Sequence, residues 1–371
     1  ELGRRDMMFD AMAAKEDPVR CPDAVKGWNG PQNCLFVVGD AEMPRTGPVS
    51  EDALAYTRRY YEMVGAEVVE RLHAVAALGL TESRYPIDLL MGPTTLLPHL
   101  ARMRHLARML RLESLLATVD NRPEEAMAAL EAMIPLADSL KEEPVLISQL
   151  VRAAMLDMIY GGEESLLNRM EISDVDLARL QGVLRRSIPT DPAESSMRRA
   201  IIGENIILRS AIDEKYGLGS LAIAVTEYEQ PHNDSAELLC RTLAPVGAFS
   251  GRTCMDNLIF SEWGRRFEAR HEAMLTGNPV AEDIADDDDR WMMNLMAHAH
   301  WYPLWLSGYR SSDMEIRLHT QADIACTAIA VERYRRAQGR LPERLDLLVP
   351  AYLDAVPKDY WNRRKPLSYR I

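Results

Sequence analysis

The sequence predicts an all-α protein, an irregular array of antiparallel helices that ends in a small C-terminal appendix of short helices and extended chain. Three observations carry this reading. Apolar residues recur at three- and four-residue intervals through most of the stretch from Ser50 to Gln338, the period of one face of a helix. Serine or proline stands just ahead of several of these stretches, where helices prefer to start. Only Cys34 to Val38 reads as a strand. The organisation expected is an irregular N-terminal segment over 1–50, a helical domain over 51–300 with a loop-rich insertion at about 217–256, and a C-terminal helix with its appendix over 301–371.

Taken in order, residues 18–50 hold Pro18, Pro22, Gly27, Gly30, Pro31, Gly39, Pro44, Gly47 and Pro48, a density of breakers that forbids a long helix. Ser50 followed by Glu51 and Asp52 then makes a helix start, with acids at the positive end of the dipole. The stripe expected for this helix is Leu54, Tyr61, Val64, Val68, Leu72 and Val75. A loop from Gly79 to Pro98 leads to the clearest hairpin. Its first helix carries Leu106, Met109, Leu110, Leu112, Leu115, Leu116 and Val119, and its turn is Asp120-Asn121-Arg122-Pro123. Its return helix aligns Ala126, Ala129, Met133, Leu136 and Leu140. Pro144 opens a third helix with Ile147, Leu150, Val151, Ala154 and Met158 on one face, expected to stop at Gly161-Gly162. Ser173 with Asp176 caps a fourth, and Asp191-Pro192 starts a fifth running to about Tyr216. After the insertion, Leu258 to Met274 regain helical spacing, and an acidic linker holds Asp286 to Asp289. The last long helix, about 313–338, buries Ala322, Ala325, Cys326 and Ile329 and ends at Gly339.

Composition narrows the function. The 371 residues are 47% hydrophobic, enough for a substantial core, and the net charge of −13 argues against a broad electrostatic footprint for nucleic acid or anionic lipid while leaving room for a small basic patch. No apolar run is long enough to span a membrane. The chain opens on Glu1 and not on methionine, as expected of processing or of truncation, either of which leaves room for a removed signal or anchor and leaves location open. The five cysteines contain no C-x-x-C pair. Cys21 with Cys34 and Cys240 with Cys254 fit an oxidising compartment with Cys326 left over, and free buried thiols fit equally.

Two resemblances add to this. Leu115 to Ala126, reading Leu-Leu-Ala-Thr-Val-Asp-Asn-Arg-Pro-Glu-Glu-Ala, resembles the turn of a tetratricopeptide hairpin, over one hairpin only. At the C-terminus, Tyr334, Gly339, Pro342, Leu345, Leu348, Pro350, Tyr352, Leu353, Val356-Pro357, Asp359, Pro366-Leu367 and Tyr369 resemble the terminal segment of type II secretion pseudopilins. Taken whole, the chain is similar to a bacterial family of exported, N-terminally anchored helical proteins. That resemblance implies a periplasmic or envelope-associated location, with the cytoplasm as alternative, and supplies no activity.

The chemical motifs are sparse. Two Glu-x-x-His pairs, Glu70/His73 and Glu268/His271, have the spacing of di-metal carboxylate bundles. Glu70 and His73 fall opposite their helix's apolar stripe, however, and so are expected to face solvent. Gly247 to Gly251 frames Ser250 one residue away from nucleophile-elbow spacing. His298 and His300 would diverge on a helix, and no phosphate-binding glycine motif occurs. Neither a metal nor another cofactor is expected. Two glutamates stand out, because Glu113 lies among Leu106, Met109, Leu110 and Ala117, and Glu204 among Met197, Ile201, Leu208 and Ala211. A buried carboxylate needs a partner. Each is expected to pair with an arginine of another helix or, on the functional reading, to act as a pocket acid or base. The sequence therefore favours a non-enzymatic interaction or scaffold protein of the bacterial cell envelope, with a protein partner and no nucleic acid. The alternative is a hydrolase or other enzyme using Glu113 and Glu204 in an inter-helical pocket.

Overall fold

Ser50 begins the first helix as the sequence implies: its Oγ accepts from the amide of Ala53 at 3.4 Å, which satisfies one of the orphan donors of a helix start. The computed structural model describes residues 36–37, 43–44, 46–78, 84–187, 195–212, 269, 272–273, 276, 302–360 and 364–370. The strand at Cys34 to Val38 is described only at Phe36 and Val37, and the insertion, Ser250, Glu268/His271, the Asp286 run and His298/His300 lie outside the described residues. Helices make up 72% of what is described, and the fold is all-α.

Helix α1 (Glu51–Tyr60) passes through a π-helical turn, Tyr61–Gly65, into α2 (Ala66–Leu78). Gly65 makes the turn possible, because a Cβ there would lie 2.7 Å from the Tyr61 ring. The turn also shifts the helix phase, so the expected stripe does not hold: Tyr56, Tyr60 and Val69 are buried, whereas Val75 is exposed. A 3-10 turn, Leu89–Thr94, precedes α3 (Pro98–Val119).

The α3–α4 hairpin follows the sequence closely. Asn121 takes a positive φ of 57°, while Arg122 N donates to Ala117 O and Asn121 N to Thr118 O, the paired bonds of a Schellman stop. Pro123 then starts α4 (Pro123–Asp138) at the position where a missing N–H costs nothing. Ala126, Ala129, Met133 and Leu140 are all fully buried.

Helix α5 runs Leu146–Arg169, without a stop at Gly161-Gly162. Gly162 is there for packing, since a Cβ would sit 2.4 Å from Leu130 of α4. Contacts with α3, α4, α8 and α7 surround α5. Its buried residues therefore include Ser148, Gln149 and Arg152, while Ile147 of the expected apolar face is exposed. Arg152 reaches Asp138 at 3.1 Å and the Ser187 carbonyl at 2.7 Å.

Ser173 caps α6 (Asp174–Arg186) through Asp176 N. Helix α7 (Ser196–Ile212) starts later than Pro192 suggests, with Ser195 as its cap, accepting from Arg198 N and donating to Glu315. It packs on the Leu89–Thr94 turn and on α5. Helix α8 (Tyr302–Gln338) starts earlier than expected and ends at Gly339, whose φ is 68°.

Beyond it come a 3-10 turn, Leu345–Leu348, and a two-residue antiparallel pair, β1 (Lys358–Asp359) with β2 (Lys365–Pro366). Leu345, Leu348 and Leu353 pack with Tyr334, so the appendix is docked as its apolar residues require. Gln181 ties three elements together: Nε2 donates to the carbonyls of Cys326 and Tyr352 at 3.0 Å each, and Oε1 accepts from Arg333. Cys326 is free and buried, and burial pushes its thiol up to about 12.

Candidate functional site

Glu113, in the C-terminal half of α3, accepts from the Tyr61 hydroxyl at 3.3 Å and lies 2.7 Å from His73 Nε2. In an unbroken α-helix, residues twelve apart would diverge by about 120°. The π turn absorbs one extra residue and reduces this to about 20°, so Tyr61 and His73 converge on one carboxylate. His73 is thus turned toward α3 and not toward solvent, which corrects the expectation for the Glu70/His73 pair; Glu70 is exposed. The partner of Glu113 is likewise not an arginine. Both of its oxygens are engaged, Oε1 by Tyr61 and Oε2 by His73. Burial and the neighbouring Glu113 charge raise the Tyr61 phenol, which therefore stays a donor at neutral pH.

Glu204 also points inward, and its partner also differs from the one expected. Oε1 accepts from the backbone amide of Leu146 at 2.9 Å. Leu146 is the first residue of α5, so the carboxylate caps a neighbouring helix and meets the positive end of its dipole. Burial raises the Glu204 carboxyl, and the Leu146 bond works in the opposite direction. Losing an N-cap acceptor costs about 1 kcal/mol, whereas stripping one partner from a buried ion pair costs about 3–5 kcal/mol. Glu204→Ala is expected to lower the unfolding free energy by the smaller amount, and a loss in the larger range in chemical denaturation would contradict the cap.

The two glutamates serve different junctions: Glu113 bonds to Tyr61 and His73 from the first helical stretch, and Glu204 to the start of α5, and among the described residues no group bonded to one is bonded to the other. The structure reveals a third cluster that sequence reasoning missed. His99 Nε2 lies 2.7 Å from Glu143 Oε1, with their side chains 15% and 5% exposed. The Tyr85 ring stacks flat on His99 at 4.2 Å, and its hydroxyl is hydrogen-bonded to the Ser139 hydroxyl at 3.3 Å. This cluster fastens residues 85–99 to the turn between α4 and α5. No local spacing announces it, because His99 and Glu143 are 44 positions apart.

Two buried ionisable groups, Arg111 and Glu163, were missed as well. Arg111 Nη2 donates to Gly161 O and Ser165 Oγ, Nη1 has no partner, and burial lowers the guanidinium to about 10. Glu163 is 3% exposed with Oε1 unpartnered, and burial pushes its carboxyl up to about 8. Among the described residues, no group of three or more His, Cys, Asp or Glu side chains is placed to hold a metal, and no helix is long and apolar enough to cross a membrane. The chain matches no family model, no curated protein and no solved structure.

Proposed function

We propose that the chain is a non-catalytic interaction or scaffold protein of the bacterial cell envelope that binds a protein partner through apolar side chains left uncovered on its helices. The observation that carries this is the exposure of Leu78 at the end of α2, 83%, and of Val175 at the start of α6, 78%. Large apolar groups left in water at helix ends favour burial against another surface. The use of the carboxylates supports the same reading. Glu113 joins helices, Glu204 caps one, and Glu163 is buried. The likeness of the α3–α4 hairpin to a tetratricopeptide unit supports partner binding, and that of the C-terminal segment to pseudopilins supports the envelope.

The test is photo-crosslinking in the native host cell, with a benzophenone amino acid at Leu78 or Val175 and, as control, at the exposed charged position Glu124. A discrete heavier adduct from Leu78 or Val175, absent from Glu124, is expected. No adduct from either apolar position would overturn the proposal.

A further inference from the structure

Between Arg84 and Arg111 the charge balance of the chain inverts: this stretch has five arginines and one acidic residue, Asp88, in a chain whose net charge is −13. Arg111 is buried among helices. The other four, Arg84, Arg102, Arg104 and Arg108, have no ion pair or hydrogen bond among the described residues, although most arginines of α5, α6 and α8 are paired. Arg84, Arg102 and Arg104 are exposed and Arg108 is half-buried. At 100° per residue, Arg102 and Arg104 stand at the two margins of the one open face of α3, with Arg108 a turn below Arg104. Like charges one turn apart oppose each other, and burial, with a smaller contribution from Arg104, lowers the Arg108 guanidinium. Asp88 forms no ion pair with any of them among the described residues, and its Oδ1 accepts from the amide of Leu90 at 3.0 Å.

The same segment exposes its apolar side chains. Leu90 is 69% and Leu96 82% exposed, with Met91 beside Leu90 at 40%. The Leu89–Thr94 turn packs its inner side on α7, and the Tyr85–His99–Glu143 cluster fixes both ends of the segment to the body. These leucines are therefore held out on a braced support.

We infer that the face made by residues 84–97 and the open side of α3 docks on an anionic lipid surface, with Leu90 and Leu96 entering the headgroup boundary and the four arginines meeting lipid phosphates. Along the chain the exposed leucines stand between Arg84 and Arg102, and apolar tips flanked by basic side chains are what an interfacial element requires. Arginines spread around a helix face, with none forming a single bidentate site, suit a continuous sheet of negative charge. The acidic remainder of the chain is repelled by the same sheet, which orients the molecule with this face down. The inference does not depend on a protein partner at Leu78 or Val175.

The experiment is co-sedimentation of the full chain with vesicles of phosphatidylcholine alone or with about 30% phosphatidylglycerol, and at about 0.5 M salt, where exposed charges are screened. Binding to the anionic vesicles only, released by salt, is expected. The variant R102A/R104A is expected to lower the partition coefficient about tenfold or more, and L90S/L96S to lower it as well, each with an unchanged melting temperature because all four sites are exposed. The inference is overturned by no binding to anionic vesicles, by equal binding to neutral ones, or by unaltered binding of either variant. Tight binding of soluble poly-glutamate that excludes vesicles would assign the face to an acidic protein instead. The crosslinking at Leu78 and Val175 stands or falls separately.

Discussion

Glu163→Gln is expected to stabilise the protein at high pH by on the order of 4 kcal/mol and to leave it nearly unchanged in acid. The sign follows from burial. Glu163 is 3% exposed, has an oxygen with no partner, and holds its proton up to about pH 8 in the folded state. Below the ordinary carboxyl range both folded and unfolded chains are protonated, and no penalty exists. Between that range and about pH 8 the unfolded chain ionises while the folded one does not, so wild-type stability falls as pH rises. Above it the charge is forced into the interior and the cost is complete. Glutamine never ionises and escapes the decline. Parallel stability-against-pH curves for the two proteins, measured by denaturant titration, would show that Glu163 has a counter-charge or reaches solvent.

Gly203→Ala is expected to detach α7, at a cost of about 3 kcal/mol. In a helix interior this exchange ordinarily gains about 1 kcal/mol, so the prediction opposes the propensity scale. A Cβ at Gly203 would lie 1.6 Å from the Pro144 carbonyl oxygen, and backbone cannot step aside as a side-chain tip can. The neighbouring Glu204–Leu146 bond crosses the same junction. The two lesions are therefore coupled, and Glu204→Ala should cost almost nothing further in a Gly203→Ala background. A stable Gly203→Ala protein, or full additivity of the two changes, would contradict this account of how α7 docks.

These cases show which parts of the structure were legible in the sequence. Local chemistry was: the Ser50 and Ser173 caps, the Asp120–Pro123 turn and the stop at Gly339 each depend on residues within one helical turn. What failed depended on distant packing. Gly162 reads as a terminator, yet it is a spacer for Leu130, and helices on several sides bury α5 where its stripe predicted a single face. The π turn moved the phase of the first helix and carried His73 round to Glu113. For the candidate site, helical phase did point Glu113 and Glu204 inward. It could not supply their partners, a tyrosine, a histidine and an amide contributed from 40 to 58 positions away. The His99–Glu143 cluster left no trace for the same reason.

The central claim is that the carboxylates inside the helical array hold the structure and that function resides on its outer surface. It is tested most directly by repeating the crosslinking at Leu78 and Val175 in a Glu113→Gln/Glu204→Gln background, in which both side chains keep an acceptor oxygen but lose their charge. The account predicts the same adduct at a comparable yield. Loss of the adduct from a protein that still melts at the wild-type temperature would contradict it, since one of the two glutamates would then serve the partner or its chemistry and not the fold.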